Sequence, residues 1–206
     1  EGDVSQTSKY NFKKSWLRYF EKQPDNLAIF TCIDPAIGER IDNDFTAIVT
    51  GGIDQYWNLF ILDIIKKRFN LETLEMFGAI FTVYEVYKPV KIGFETVGFQ
   101  KYVKQFFESE MRKRGKYPQV VEINHDTKIT KAMRITSLAP VAQAGQLFIK
   151  PDMYDFISEW EAYREVKNDD VLDAASMLKD LAMQKGMSSN KGTAPAYRAM
   201  NAGINF

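Results

Sequence analysis

An unbroken apolar run that closes on an acid is the feature that most constrains how this chain can fold. The run NLAIFTCID covers residues 26–34 and shows no alternation of polar and apolar positions. Such a strand is buried on both faces, so it belongs in the middle of a sheet that helices cover. Residues 45–53 and 58–69 predict two more strands, joined by a hairpin at residues 54–57. Three consecutive strands predict an antiparallel meander.

Helical and strand patterns alternate over the rest of the chain. The predicted helices cover residues 70–88, 98–114, 127–138, 152–166 and 169–184. The predicted short strands cover residues 90–95, 118–123 and 146–150. Strands that alternate with helices join a sheet in parallel, so we predict an α/β fold with a mixed sheet flanked by helices. This order of elements is that of the ribonuclease H-like arrangement.

One domain with two extensions is the predicted organisation. Residues 1–24 are polar apart from a short amphipathic piece, and we interpret them as a linker or N-terminal extension. Residues 25–185 form the predicted domain. Residues 186–206 are small and polar, which predicts a flexible C-terminal tail.

Composition excludes several classes of protein. The chain has 206 residues, 45% of them hydrophobic, which is enough for one buried core. Its 27 basic and 27 acidic residues balance, so only local basic clusters could contact nucleic acid. With one cysteine, Cys32, and one histidine, His125, a disulfide framework and a zinc site built on these residue types are excluded, and a reducing compartment is expected. No apolar run predicts a membrane span.

Two predicted strands close on acids, Asp34 and Glu95. Taken alone, Asp34 could cap the turn before Pro35, and Glu95 could favour the start of the helix that follows it. Neighbouring strands of an α/β sheet end side by side, however, and a helix packed across the sheet can bring its first turn there. Converging carboxylates make an oxygen-only site that suits Mg²⁺ or Mn²⁺, because unneutralised anions would repel one another.

The last predicted helix opens with three aspartates, Asp169, Asp170 and Asp173. At about 100° per residue, Asp170 lies at the edge of the apolar stripe and Asp173 roughly 60° further round, both within reach of one metal ion. Asp169 is better placed as the helix N-cap or as an acid just outside the ligand set. A pair of divalent cations roughly 3.5–4 Å apart could activate a water and stabilise the leaving oxygen of a phosphodiester.

Four pieces of the sequence, taken in order, carry a resemblance to a known family. They are IDPA followed by NDFTAIV, then GFETVGFQKYV, then DTKITKAMRITSLAPVAQAGQLFI, then NDDVLDAASML. From about Leu27 to Met183 the chain resembles the C-terminal nuclease domain of tailed-bacteriophage terminase large subunits. The resemblance implies a ribonuclease H-like fold. It also implies a metal-dependent endonuclease that cuts concatemeric double-stranded viral DNA with two divalent cations, Mg²⁺ or Mn²⁺.

The resemblance also implies roles for particular positions. Asp34 becomes the metal ligand of the first strand and Glu95 the second acid, while Asp170 and Asp173 become the acids of the late helix. Some relatives carry a histidine in that last motif. This chain has only Asp169 and its two neighbours there, so which of the three aspartates bind metal stays open.

The implied partners are those of a packaging machine inside the host cytoplasm. They are double-stranded viral DNA, the ATPase motor domain of the same subunit, the small terminase subunit and the portal. No G-x-x-x-x-G-K-[ST] loop occurs in this sequence, so we expect a nuclease domain without the motor. The alternatives are another ribonuclease H-like nuclease, of the resolvase or transposase type, or a non-catalytic module that docks on DNA or the portal.

One local basic cluster belongs to a resembling stretch. We predict that Lys128, Lys131 and Arg134 hold DNA phosphates near the metals, which positions DNA without reading its sequence and fits sequence-tolerant cleavage. The simpler alternative is a solvated face. His125 is predicted to be a turn or surface residue.

Overall fold

The elements of the fold are seven strands and six α-helices within residues 12–35, 45–69, 75–95, 101–163 and 169–189, which the computed structural model describes. The strands are β1 (Arg18–Tyr19), β2 (Ala28–Asp34), β3 (Thr46–Ile53), β4 (Leu59–Lys67), β5 (Lys91–Glu95), β6 (Val120–Ile123) and β7 (Leu147–Ile149). The helices are α1 (Glu75–Tyr87), α2 (Lys101–Arg114), α3 (Lys131–Thr136), α4 (Leu138–Gln143), α5 (Tyr154–Glu161) and α6 (Asp170–Ser189).

All seven strands form one mixed sheet in the order β1-β7-β4-β3-β2-β5-β6. The strands β2, β3 and β4 make the predicted antiparallel meander. On one side β5 and then β6 add in parallel, and on the other side β7 and then β1 add in parallel. The predicted α/β class, with a mixed sheet of antiparallel and parallel strands flanked by helices, is confirmed.

The apolar run of the first predicted strand lies at the centre, as its composition requires. Phe30 and Cys32 of β2 point into a core that α6, α5 and the short helices α3 and α4 cover. Ile33 points into a second core, on the opposite face, with α1 and α2. All three side chains are fully buried. Because β2 is covered on both faces, its acid end lies between helices.

The chain before β2 contributes to the same fold. Phe12, Leu17 and Phe20 are buried, and the ring of Phe12 stacks on Trp160 with centroids 4.1 Å apart. The indole nitrogen of Trp160 donates a hydrogen bond to the carbonyl of Lys13 at 3.1 Å. Residues 1–11 and 190–206 lie outside the described residues, and the predicted division into extension, domain and tail stays a prediction.

The predicted helix over 127–138 is two short helices instead. A turn in which Asp126 Oδ1 accepts from the backbone N–H of Lys128 occupies its expected start. Thr130 then caps α3, its hydroxyl accepting from the N–H of Met133. Ser137 separates α3 from α4. Side chains that bond to nearby backbone groups compete with a continuous helix, which explains the difference. Among the described helices, none has the length and apolar character of a membrane span.

Gly51 allows α6 to sit close to the sheet. A Cβ at this position would lie 2.6 Å from Leu178 Cδ2 and 2.6 Å from the carbonyl oxygen of Phe60. The pairing of β3 with β4 also shifts register between Thr50 and Gly51. A side chain here would push α6 away from β3.

We expect the G51A variant to lower the free energy of unfolding by about 1–3 kcal/mol, because the added methyl group meets backbone as well as a packed leucine. Gly78 in α1 is the matched control, since nothing lies within 4 Å of a Cβ there. The G78A variant is expected to raise the free energy of unfolding by about 0.5–1 kcal/mol through helix propensity. Urea unfolding of both variants measures this, and equal effects of the two would contradict the close approach.

Candidate metal centre

Two acids meet where parallel neighbours β2 and β5 end. The register pairs Ile33 with Phe94, so the next residues, Asp34 and Glu95, share one edge of the sheet. The protonated Asp34 side chain hydrogen-bonds Glu95. Burial, followed by the negative charge of Glu95, raises the pKa of Asp34 to about 8. At neutral pH this carboxyl therefore keeps its proton unless a cation replaces it.

The first turn of α6 brings the other acids to the same edge. This helix lies across β2 and β3, and its residues from Val171 to Lys179 are all buried. Asp173 is 1% exposed. The side chains of Asp169 and Asp170 are only 24% and 20% exposed. The carbonyl of Asp169 accepts from the N–H of Asp173 at 3.0 Å, so Asp169 stands where the helix begins.

Two basic side chains of α3, Lys131 and Arg134, bridge these carboxylates. Lys131 Nζ lies 2.9 Å from Asp169 Oδ1, 3.1 Å from Asp170 Oδ1 and 3.9 Å from Asp173 Oδ2. Burial alone would lower the pKa of Lys131, but the hydrogen bond to Asp169 and the charge of Asp170 raise it above its ordinary value. The ammonium group is thus held charged by the acids around it.

Arg134 joins the strand-end acids to the helix acids. Its Nε and Nη2 donate to the two carboxylate oxygens of Asp173 at 2.9 and 2.5 Å, a bidentate pair. The same Nη2 lies 3.5 Å from Glu95 Oε1. Burial would lower the pKa of Arg134, but the hydrogen bond to Asp173 raises it. The acids from β2, β5 and α6 are therefore in one neighbourhood.

His125 also lies in this neighbourhood, which the sequence did not predict. Its Nε2 is 3.2 Å from Glu95 Oε1, and its side chain is 19% exposed. The contact lacks hydrogen-bond geometry, and this buried nitrogen has no hydrogen-bond partner among the residues that the structure describes. One signal could have found it. β6 runs parallel to β5 with Ile123 opposite Glu95, so two residues past Ile123 the chain is at the same edge.

Of the eight predicted site residues, one stands apart from the others. Lys128 is exposed, and its backbone N–H bonds to Asp126 in the turn before α3. Lys131 and Arg134, by contrast, lie among the carboxylates. Their predicted contact with DNA phosphates stays a prediction.

The carboxylate oxygens suit a hard divalent cation, although the acids are paired with basic side chains and are not arranged around a metal position. Carboxylate oxygens are the ligands that Mg²⁺ and Mn²⁺ prefer. Burial, followed by the charge of Glu95, raises the pKa of Asp34, and the charge of Lys131 offsets only part of that rise. Among the residues that the structure describes, no group of three or more histidine, cysteine or acidic side chains is arranged to hold a metal ion. A cation would have to displace the side chains of α3.

No family model matches this chain, and no curated protein matches its sequence. Solved structures do match. The large terminase nuclease of thermophilic phage G20c with bound magnesium is 13% identical, with a TM-score of 0.52 over 80% of this chain and 91% of that chain. The same nuclease with bound zinc is 14% identical, with a TM-score of 0.53 over 80% of this chain and 92% of that chain. The chain has the fold of the large-terminase nuclease domain.

A longer protein shows the same likeness. The large terminase of another thermophilic bacteriophage is 13% identical, with a TM-score of 0.58 over 84% of this chain and 44% of that chain. The predicted likeness to the large-terminase nuclease domain is confirmed at the level of the fold. Within that fold, this chain places five carboxylates and two cations at one edge of the sheet.

The raised pKa of Asp34 predicts a pH dependence of stability. A carboxyl whose folded pKa is about 8 adds stability that is present below pH 4 and is lost as pH rises through 8. The D34N variant lacks this dependence, and its amide can still donate to Glu95. In a chelator, wild type should lose stability relative to D34N by at most about 1.4 kcal/mol per pH unit. Thermal unfolding between pH 5 and 9 measures this, and parallel profiles would contradict it.

If a divalent cation has to displace the Lys131 side chain, then removing that side chain should raise the affinity of the site for the cation. A unit charge within 4 Å is worth about 4 kcal/mol at an effective dielectric constant of 20. We discount that value because the Lys131 side chain is 39% exposed. The K131M variant should then bind Mn²⁺ about tenfold more tightly in calorimetry, a change of about 1.4 kcal/mol. Lys104, which pairs with Glu122 at the surface, is the control. Weaker binding by K131M than by K104M would refute the competition.

Proposed function

We propose that this chain is a metal-dependent DNA endonuclease of the terminase type. The observation that carries the proposal is the convergence of acids from three separate elements, with Asp34 from β2, Glu95 from β5 and Asp173 from α6. Burying anions together costs free energy, and such a cluster is typical of a site that takes up cations. The likeness in fold to large-terminase nucleases supports the same class of activity.

Asp34, Glu95, Asp170 and Asp173 would hold two divalent cations, Mg²⁺ or Mn²⁺, with Asp169 beside them. When bound, such cations supply activation of water and stabilisation of the leaving oxygen in phosphodiester hydrolysis. The burial of Asp173 keeps bulk water from its carboxylate. The parallel pairing of β2 with β5 fixes the spacing of the other two acids on a rigid sheet.

The basic side chains have a second role in this proposal. Lys131 and Arg134 neutralise the acids when no metal is bound, and they lie within reach of a phosphate that arrives with one. Once displaced, their ammonium and guanidinium groups hold the phosphates on either side of the scissile bond. Lys128, exposed at the turn before α3, extends this contact along the DNA backbone. Contacts to phosphate carry no sequence information, so cleavage has little sequence specificity.

The substrate and partners follow from the same proposal. The substrate is concatemeric double-stranded viral DNA in the cytoplasm of the host. An ATPase motor domain of the same large subunit delivers it, and the small terminase subunit and the portal complete the assembly. The likeness in fold to a large terminase, of which this chain spans 44%, supports this context.

The test is nicking of supercoiled plasmid in Mg²⁺ or Mn²⁺. We expect D34N to lose about 10³-fold in rate, because a metal ion contributes several kcal/mol to the transition state. Asp180, exposed on the same α6 and paired with Lys179, gives the matched control D180N, which should cut like wild type. Retained cleavage by a folded D34N protein would refute the assignment.

Comparing DNA substrates distinguishes a terminase-type nuclease from other nucleases of similar fold. A terminase-type nuclease should cut linear duplex, whereas preference for a four-way junction or for an RNA–DNA hybrid would indicate a resolvase or a ribonuclease H. Absence of both cleavage and Mn²⁺ binding would indicate a docking module.

A further inference from the structure

Glu159 is a buried carboxylate that the proposed chemistry does not use. It lies on α5 and is 3% exposed. Each of its oxygens has a separate partner. Oε1 accepts from Lys66 Nζ at 2.8 Å, and Oε2 accepts from the backbone N–H of Leu172 at 3.0 Å. A single side chain of α5 therefore joins the end of β4 to the start of α6.

The contact with Leu172 is made inside the first turn of α6, between Asp170 and Asp173. The first N–H groups of a helix have no partner within the helix, and a buried one costs about 1–3 kcal/mol if it stays unpaired. Glu159 supplies the missing acceptor, with a negative charge at the positive end of the helix dipole. The turn that carries two acids of the site is thus anchored to a neighbouring helix.

Lys66 neutralises the buried negative charge of Glu159. Its side chain is 15% exposed, and its ammonium group also lies 5.2 Å from the ring of Phe45. Breaking a buried ion pair leaves an uncompensated charge, so the two residues act as one unit.

Stability alone does not account for a carboxylate in this place. Well-packed apolar residues often stabilise a fold as much as a buried ion pair does. Moreover, Glu159 adds negative charge beside Asp170, which already lies among other acids. What an apolar pair could not provide is an acceptor at a fixed point of the first turn of α6.

The geometry points to Glu159 as a positioning residue that, held by Lys66, fixes the first turn of α6 so that Asp170 and Asp173 face Asp34 and Glu95. This inference rests on the proposed metal-dependent function. Groups that orient metal ligands in this way typically change metal affinity 10–100-fold when they are removed.

Two double variants separate the effect of the hydrogen-bond acceptor at residue 159 from the effects of its charge and volume. In K66M/E159Q the pair is uncharged, and an amide oxygen remains for the N–H of Leu172. In K66M/E159M the shape is kept but no acceptor remains. We expect K66M/E159Q to bind Mn²⁺ within about threefold of wild type in calorimetry, and K66M/E159M about 10–100-fold more weakly. Hydrogen exchange at residues 171–173 should be faster in K66M/E159M alone.

A control separates positioning from stability. Leu181 is 7% exposed and lies about three turns further along α6, so L181A should lower the melting temperature without changing Mn²⁺ affinity. Equal Mn²⁺ affinity and equal exchange in the two double variants, beside a wild type that binds and cuts, would overturn the inference alone. If wild type neither binds Mn²⁺ nor cuts DNA, the proposed function fails, and the positioning role fails with it.

Discussion

Repulsion between carboxylates is the constraint on which the arrangement of this molecule depends. Topology puts Asp34 beside Glu95, because both close parallel neighbours in the sheet. The seat of α6 across β2 then adds Asp173 from above. The positions of these acids are set by the burial of the apolar strands and helix that carry them, and not by interactions between charges. The acids are therefore close together before anything neutralises them, and the remaining structure has to supply opposite charge.

The helix α3 supplies that charge because it is tied down at several points. Ile135 buries completely in the core beneath it. The hydroxyl of Tyr163 donates to the carbonyl of Ala132 at 3.1 Å, and Lys179 of α6 donates to the Ser137 hydroxyl at the end of α3. With its backbone held in this way, α3 presents Lys131 and a neighbouring guanidinium to α6 on one face, one turn apart. The pairing is electrostatic, yet apolar packing sets its geometry.

The sequence predicted those parts of the fold that have a local signal. The run ending at Asp34 predicts the central strand, and the acids at strand ends predict their common edge. The two-residue strand β1 has no periodicity to detect, and its place depends on β7. Glu159 and Lys131 lie in segments rich in charge, where surface exposure is the default interpretation. Only the folded chain shows that each meets a specific partner, since those partners are 93 and 39 residues away along the chain.

The close seat of α6 links packing, charge and chemistry. Ala174 and Ala175 on the helix and Gly51 on β3 are small enough to bring helix and sheet together. The same closeness removes Asp173 from water, which makes its bidentate bond to Arg134 necessary in the absence of a metal. A bulkier interface would relieve that burial, but it would also draw the first turn of α6 away from the ends of β2 and β5. Asp173 would then be exposed to water and easier to keep charged, but it would lie too far from Asp34 and Glu95 to share a cation with them. The tight interface and the crowding of buried charge therefore have the same cause.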